Sequence, residues 1–274
     1  MLTSKNRLHY NHSNLIQLDE KLEIGENRIF LKGLAGSSAA VFCAEYFNHS
    51  KKPQLVILND KESAAYFLND LKKFLKEDQV YFFPSSYKRS VQYQQPDTSN
   101  IVLRTEVLNL LISSSRKIII VTYPEALIEK VVSRKELKNN TLQLNAGEKV
   151  SMSFIEEVLV EYNFQRADFV YEPGQYSLRG SILDVFSFSN DHPFRIDFFG
   201  NEVESIRTFD VENQLSLDSC KSISILPNLK DISDSNNTNT IFKLLNNNFL
   251  VWSYDLSFSI SRINELYNNT HFGS

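Results

Sequence analysis

From Arg28 to Val132 short apolar runs alternate with longer stretches of mixed polarity, a rhythm that predicts strand, turn and helix in repetition. Gln54–Leu58 (QLVIL) and Lys117–Tyr123 (KIIIVTY) are continuous apolar runs, as expected of parallel strands covered on both faces. Arg28–Lys32 and Val80–Phe83 predict two shorter strands. Apolar residues at helical spacing predict helices over Ser37–Phe47, Lys61–Leu75 and Val102–Ile112, with a polar loop containing Pro84 and Pro96 before the last. This layout is that of an α/β layer, a parallel sheet covered by helices.

After about Ser133 the rhythm changes. A helix over Ser153–Glu161 is followed by closely spaced strands. In Ser181–Phe188, Leu183 and Val185 fall on one side and Ile182, Asp184 and Phe186 on the other, which predicts a strand with one face at least partly solvated. The turn SNDHP reverses the chain, Phe194, Ile196 and Phe198 alternate with Arg195 and Asp197, and Gly200-Asn201 is a two-residue hairpin before Glu202–Phe209. The result is an antiparallel meander. Ser233–Asn239 (SDSNNTN) predicts a surface loop, Phe249–Tyr254 (FLVWSY) a buried strand returning to the first sheet, and Ser259–Tyr267 a helix. The expected organisation is a first domain begun by 1–132 and completed by 211–274, with an α+β domain, 133–210, inserted in it. The ending without a domain-closing pattern reads as a piece of a longer chain.

At 274 residues and 42% hydrophobic content the chain can bury a full core, and twelve Tyr and twenty Phe supply much of it. Cys43 and Cys220 stand without a CxxC or a His pair, so neither a disulfide framework nor a zinc site is indicated. No run approaches the roughly 20 apolar residues of a membrane span, and the opening MLTSKNRLHYNHSN has no apolar signal core, so a cytosolic protein without membrane contact is expected. The formal charge is −4, and Arg134–Asp210 holds eight Lys and Arg against thirteen Asp and Glu. Both balances argue against a general grip on duplex DNA, which depends on basic side chains at phosphates.

Nucleotide chemistry in such a layer would sit at the first strand-to-helix turn, here GLAGSSAA from Gly33 to Ala40. A working phosphate loop needs a glycine for amide wrapping, a lysine for charge and a hydroxyl for magnesium. Ser38, Ala39 and Ala40 occupy those three positions, after Gly33, Gly36 and Ser37. No ATP hydrolysis and no cofactor are expected. The turn is a tight connection bent at Gly33 and Gly36, with a residual anion site at the helix N-terminus as the other reading. The five histidines are scattered, and Glu156-Glu157 and Glu202/Glu204 read as solvated faces rather than acid/base couples.

The stretch FVYEPGQYSLRGSILDVFSFSNDHPFRIDFFGNEVESIRTFD, Phe169–Asp210, resembles the second domain shared by the transcription-repair coupling factor Mfd and the excision-repair helicase UvrB. Its [FY]xxRG turn is Tyr176–Gly180, its [IVL][IVL]D[IVL]F strand Ile182–Phe186, and RIDFFGNEVESI runs from Arg195 to Ile206, in that order. The degenerate phosphate loop is similar to that of the Mfd family, whose UvrB-like part has lost nucleotide chemistry. The resemblance implies a non-catalytic module that recruits UvrA to RNA polymerase stalled at DNA damage. Polymerase and DNA would be engaged by other domains of a longer ATP-dependent translocase.

It further implies that UvrA binds arginines of this domain, matched here by Arg166 and Arg179, with Phe186 close by; Ser177 stands where UvrB has a further arginine. Each arginine has a second reading as an internal ion pair, Arg166 with Asp168 and Arg179 with Glu172, and Phe186 as core. Two other functional classes are weighed: an ATP-binding helicase fragment, opposed by Ala39 and Ala40, and an upstream DNA-binding piece, opposed by the acidic balance.

Overall fold

The computed structural model describes residues 12–26, 28–89, 92–114, 116–229, 238–245 and 248–271. They form two compact units. The first takes residues up to Phe82, then Arg116–Pro124, then the stretch after residue 247; the second takes Phe83–Ser115 and Glu125–Asn246. The fold class is α/β as expected, a parallel sheet in one unit and antiparallel ladders in the other.

In the first unit four strands are ordered Leu250–Ser253, Gln54–Ile57, Ile119–Thr122, Val80–Phe82, all parallel. The two central strands are buried at every position, which is why their sequences are uninterrupted apolar runs. Gln54 and Thr122 are the exceptions; Gln54 is a buried amide whose Oε1 accepts from the Cys43 thiol at 3.3 Å and from Trp252 Nε1 at 3.0 Å. Helix Ser38–His49 buries seven side chains, and helix Lys61–Lys72 begins at Asp60, whose carboxylate accepts from Ser63 N.

FLVWSY returns to this sheet beside Gln54–Ile57, but as a half-exposed edge strand rather than a buried one. Its outer side has no neighbouring strand among the described residues. Arg28–Lys32 is no strand. Ile29 and Leu31 turn inward against Leu15, Leu18, Phe42 and Tyr46 while Arg28, Phe30 and Lys32 stay exposed, but the segment has no ladder partner among the described residues. Its alternation reports burial on one side and says nothing about hydrogen bonding.

In the second unit a six-stranded sheet is ordered Ser216–Cys220, Glu202–Phe209, Phe194–Phe199, Ile182–Val185, Gln175–Arg179, Gln165–Arg166. Every pairing is antiparallel except the last. Helix Met152–Glu161 contributes Ile155 and Leu159 to the core on one face, against Tyr176, Leu183, Val185, Phe194, Ile196 and Phe198. The Gly200-Asn201 hairpin forms with Gly200 at φ +61°. The sheet continues past the expected limit of residue 210, because Asp210 folds a turn by accepting from Glu212 N and Asn213 N and so returns Ser216–Cys220 to the edge. The compact units therefore divide the chain differently from 133 and 210, and helix Thr98–Ser113 groups with the second.

The Pro84–Pro96 loop carries a short antiparallel pair, Tyr87–Arg89 with Gln92–Pro96. Buried groups tie down its entry: Glu129 accepts from Ser85 Oγ, Ser86 Oγ and Ser86 N, and Arg104 donates to the carbonyls of Pro84 and Ala126. Residues 233–237 of the expected surface loop lie outside the described residues, and Thr238–Asn239 pairs with Val131–Val132.

Gly174 joins the edge strand to its neighbours. Its N–H donates to Phe186 O, its carbonyl accepts from Gln165 N, its φ is +88°, and a Cβ there would lie 2.7 Å from the Phe188 ring. Gly174→Ala is expected to destabilise the fold by about 2 kcal/mol or more, from backbone strain plus the displaced ring. Chemical denaturation midpoints should show the loss; an unchanged midpoint would mean that Phe188 yields freely.

Candidate functional site

The turn before helix Ser38–His49 follows an unpaired segment rather than the expected strand, and it bends at Gly33, φ +84°, and Gly36, φ +55°. Ser37 takes the N-cap position but makes no side-chain cap; its hydroxyl donates to Asp70 Oδ2 at 2.7 Å. Asp70 also accepts from Lys73 Nζ at 2.8 Å, and these two bonds, Lys73 first, hold its carboxyl below the ordinary carboxylate range. Where a phosphate loop would offer a lysine, this one has Ala39, and the Asp70 carboxylate holds the hydroxyl of Ser37 two residues before it. Beside the turn lies an apolar groove of ≈ 250 Å³, walled by Leu34, Ala39, Phe42, Leu250 and Trp252, with Glu26 the one charged residue among its lining. Ala39 and Ala40 bring neither an ammonium nor a hydroxyl to the turn, the groups that stabilise charge on a transferring phosphoryl. Among the described residues no group of His, Cys, Asp and Glu is spaced to hold a metal ion, and no helix is long and apolar enough to cross a membrane.

In the second unit, the face of the sheet turned away from helix Met152–Glu161 carries charge. Ser177, Asp184, Arg195 and Arg207 stand in one rung across four strands, and Arg179, Ile182, Asp197 and Ser205 in the next. Asp184 has 0% of its surface exposed. Its Oδ1 accepts from Arg195 Nε at 2.7 Å and its Oδ2 from Arg195 Nη2 at 2.8 Å, a two-point pairing, while Arg179 Nη2 also donates to Oδ2. Arg195 further donates to Gln214 O and Oε1, and its guanidinium lies 4.3 Å from the centre of the Phe209 ring. The bonds from Asp184 push the Arg195 pKa above even its usual high value. Arg207 donates to Asp197 at 2.5 Å.

The residues marked in the sequence divide across this sheet. The Arg166 side chain is 61% exposed and pairs with Glu156 of the helix at 3.2 Å, where Tyr176 Oη also donates at 3.3 Å. It does not pair with Asp168. Arg179 lies three residues beyond Tyr176 on its strand and so on the opposite face, bonded to Asp184 rather than Glu172, with its side chain 38% exposed. The two arginines therefore flank the Gln165–Arg166 edge from opposite sides, and a surface touching both must wrap that edge. Phe186 is buried with Val170 and Phe209, so it supports this region from beneath instead of offering a contact. On the face of Ser181–Phe188 expected to be at least partly solvated, Ile182 is partly exposed but Asp184 and Phe186 are buried, because the arginines on neighbouring strands cover the carboxylate.

Sequence reasoning missed Asp184, read as a position on a wet face, and the exposed ring pair Phe169 and Tyr171, whose centres are 6.5 Å apart. Arg179 stacks over Phe169 at 5.0 Å. The alternation in Phe169-Val170-Tyr171, with only Val170 buried, was the available signal.

Comparison with known proteins places this sheet. Residues 142–230 match the family described as the UvrB interaction domain, and the resemblance carried by Phe169–Asp210 falls inside that match. The chain is 29% identical over 207 residues to the transcription-repair-coupling factor of Bacillus subtilis (strain 168), covering 75% of this chain and 17% of that protein. It is 28% identical over 208 residues to the transcription-repair-coupling factor of Escherichia coli (strain K12), covering 75% and 18%. It is 30% identical over 210 residues to UvrABC system protein B of Streptococcus uberis, covering 71% and 31%. The chain thus spans less than a third of the length of these relatives, and it is UvrB-like over most of its own.

Replacing Asp184 by Ala should cost about 3–5 kcal/mol in urea unfolding, because Arg195 would stay buried without its carboxylate. Arg179→Ala, at a half-exposed site, should cost no more than about 1 kcal/mol. Equal losses would show that Arg179 is as structural as Asp184. At Asp70 the folded-state pKa is lowered, so its stabilisation is present above the unfolded carboxylate pKa and lost as pH falls through the folded value. The difference in thermal midpoint between wild type and Asp70→Asn should therefore be present at about pH 7 and vanish in the acid range; a constant difference would remove charge as its cause.

Proposed function

We infer that this UvrB-like chain is a non-catalytic protein-interaction module of the transcription-repair-coupling factor type, which recruits UvrA to RNA polymerase stalled at DNA damage. The observation that carries this reading is the match of residues 142–230 to an interaction domain whose sheet presents two partly exposed arginines, Arg166 and Arg179, around one edge. An arginine held at one side by a carboxylate keeps its remaining donors aligned for a second carboxylate, the bidentate chemistry common at interface anchors. The Ser37–Asp70 link and the alanines at 39 and 40 support a role without nucleotide turnover.

In this reading the step is one of proximity. The module raises the local concentration of UvrA near the stalled polymerase, and no covalent bond changes within it. The polymerase and DNA contacts, and the ATP-dependent translocation that displaces the polymerase, belong to the rest of a longer protein.

Calorimetric titration of the chain with UvrA should show binding that weakens about tenfold or more in the Arg166→Ala/Arg179→Ala variant, with both proteins folded by circular dichroism. Each single variant should lose part of this, since the two side chains meet the partner from opposite sides of the edge. Absence of wild-type binding would overturn the reading. A parallel titration with ATP is expected to show no heat and no change in the thermal midpoint.

A further inference from the structure

We propose that Phe169 and Tyr171, with Arg179 stacked on Phe169, form the anchor of this interaction surface and set the chemistry of the partner site, an apolar side chain next to a carboxylate; the proposal rests on UvrA being the partner. Phe169 is 45% exposed and Tyr171 56% exposed, an unusual placement for two large rings in contact with each other.

Their exposure is built in. Val170 between them is fully buried against Phe186 and Phe209, so chain alternation turns both neighbours outward. The main chain is held on each side: Gln175 Oε1 accepts from Tyr171 N at 2.9 Å and from Glu172 N at 3.1 Å, and Ser177 Oγ donates to Asp168 O at 2.8 Å. The rings are thus displayed on a rigid segment, and ordering them on binding costs little conformational entropy. This also gives buried Phe186 a role as a positioning residue beneath Val170.

Charge selects what lies opposite. The polar face of the sheet holds three arginines, Arg179, Arg195 and Arg207, and two aspartates, Asp184 and Asp197. One positive charge is left over, and Arg179 is the most exposed of the three arginines. One side of its guanidinium lies on Phe169 and one donor on Asp184, so its free edge points to a carboxylate of the partner. Exposed Asp168 and Glu172 border the rings, which favours basic partner residues at the rim over a second acid.

Calorimetric titration with UvrA of Phe169→Ala, Tyr171→Ala and the double variant tests the anchor, with Phe199→Ala, a strongly exposed ring on the Gly200 hairpin, as the control. A tenfold or greater loss in the double variant, a smaller loss in each single variant and none in Phe199→Ala is the expected result. Tyr171→Ala is the decisive variant if the double variant is unfolded by circular dichroism, since the main chain of Tyr171 is held by Gln175. Unchanged affinity in the folded ring variants, while Arg166→Ala/Arg179→Ala loses binding, overturns the anchor and leaves the UvrA reading standing. An equal loss in Phe199→Ala also overturns it. No binding by wild type overturns both.

Discussion

A fully buried carboxylate, Asp184, holds the second unit together. It pairs at two points with Arg195 and at one with Arg179. Through Arg195 it fixes Gln214 and the turn that brings Ser216–Cys220 to the sheet edge, and Arg195 in turn covers the ring of Phe209. Phe209 packs with Phe186 and Val170, and Val170 determines which way Phe169 and Tyr171 face. A buried charge is tolerable only when its partners are in place, so this chain of contacts forms together or not at all. The same carboxylate that stabilises the sheet also aims the arginine assigned to binding.

The first unit is organised by a different constraint. Its central strands satisfy their backbone groups in the parallel ladder and bury apolar side chains on both faces, which leaves little polar chemistry within the sheet. The turn at Gly33–Ala40 bends at two glycines of positive φ, and its hydroxyl at Ser37 is committed to Asp70. In that position a negative side chain is the opposite of what an incoming phosphate requires.

Much of the layer structure was readable because period and run length follow directly from which faces are buried. QLVIL and KIIIVTY had to be covered strands, and RIDFFGN had to alternate and turn at Gly200. Where alternation alone was used to infer surroundings it failed. Arg28–Lys32 alternates with no ladder partner among the described residues, FLVWSY is apolar yet lies at an edge, and Asp184 alternates onto a polar face where arginines cover it. For the proposed site, resemblance singled out Arg166 and Arg179, but their partners Glu156 and Asp184 are not the neighbours in sequence that seemed available.

By itself, then, the sequence determined most of the kinds of element, the antiparallel character of the second unit, and the alanines at 39 and 40. These follow from local periodicity and side-chain chemistry, which the chain carries whatever its partners. Tertiary structure alone decided that Asp184 is covered, that Phe186 lies beneath the surface while Phe169 and Tyr171 stand on it, and that the two arginines face opposite sides of one edge. The physical reason is register. Which side chains meet across a sheet depends on strand order and on bulges such as those at Asp197/Phe198 and Arg207/Phe209, and neither is written in the period of a single strand.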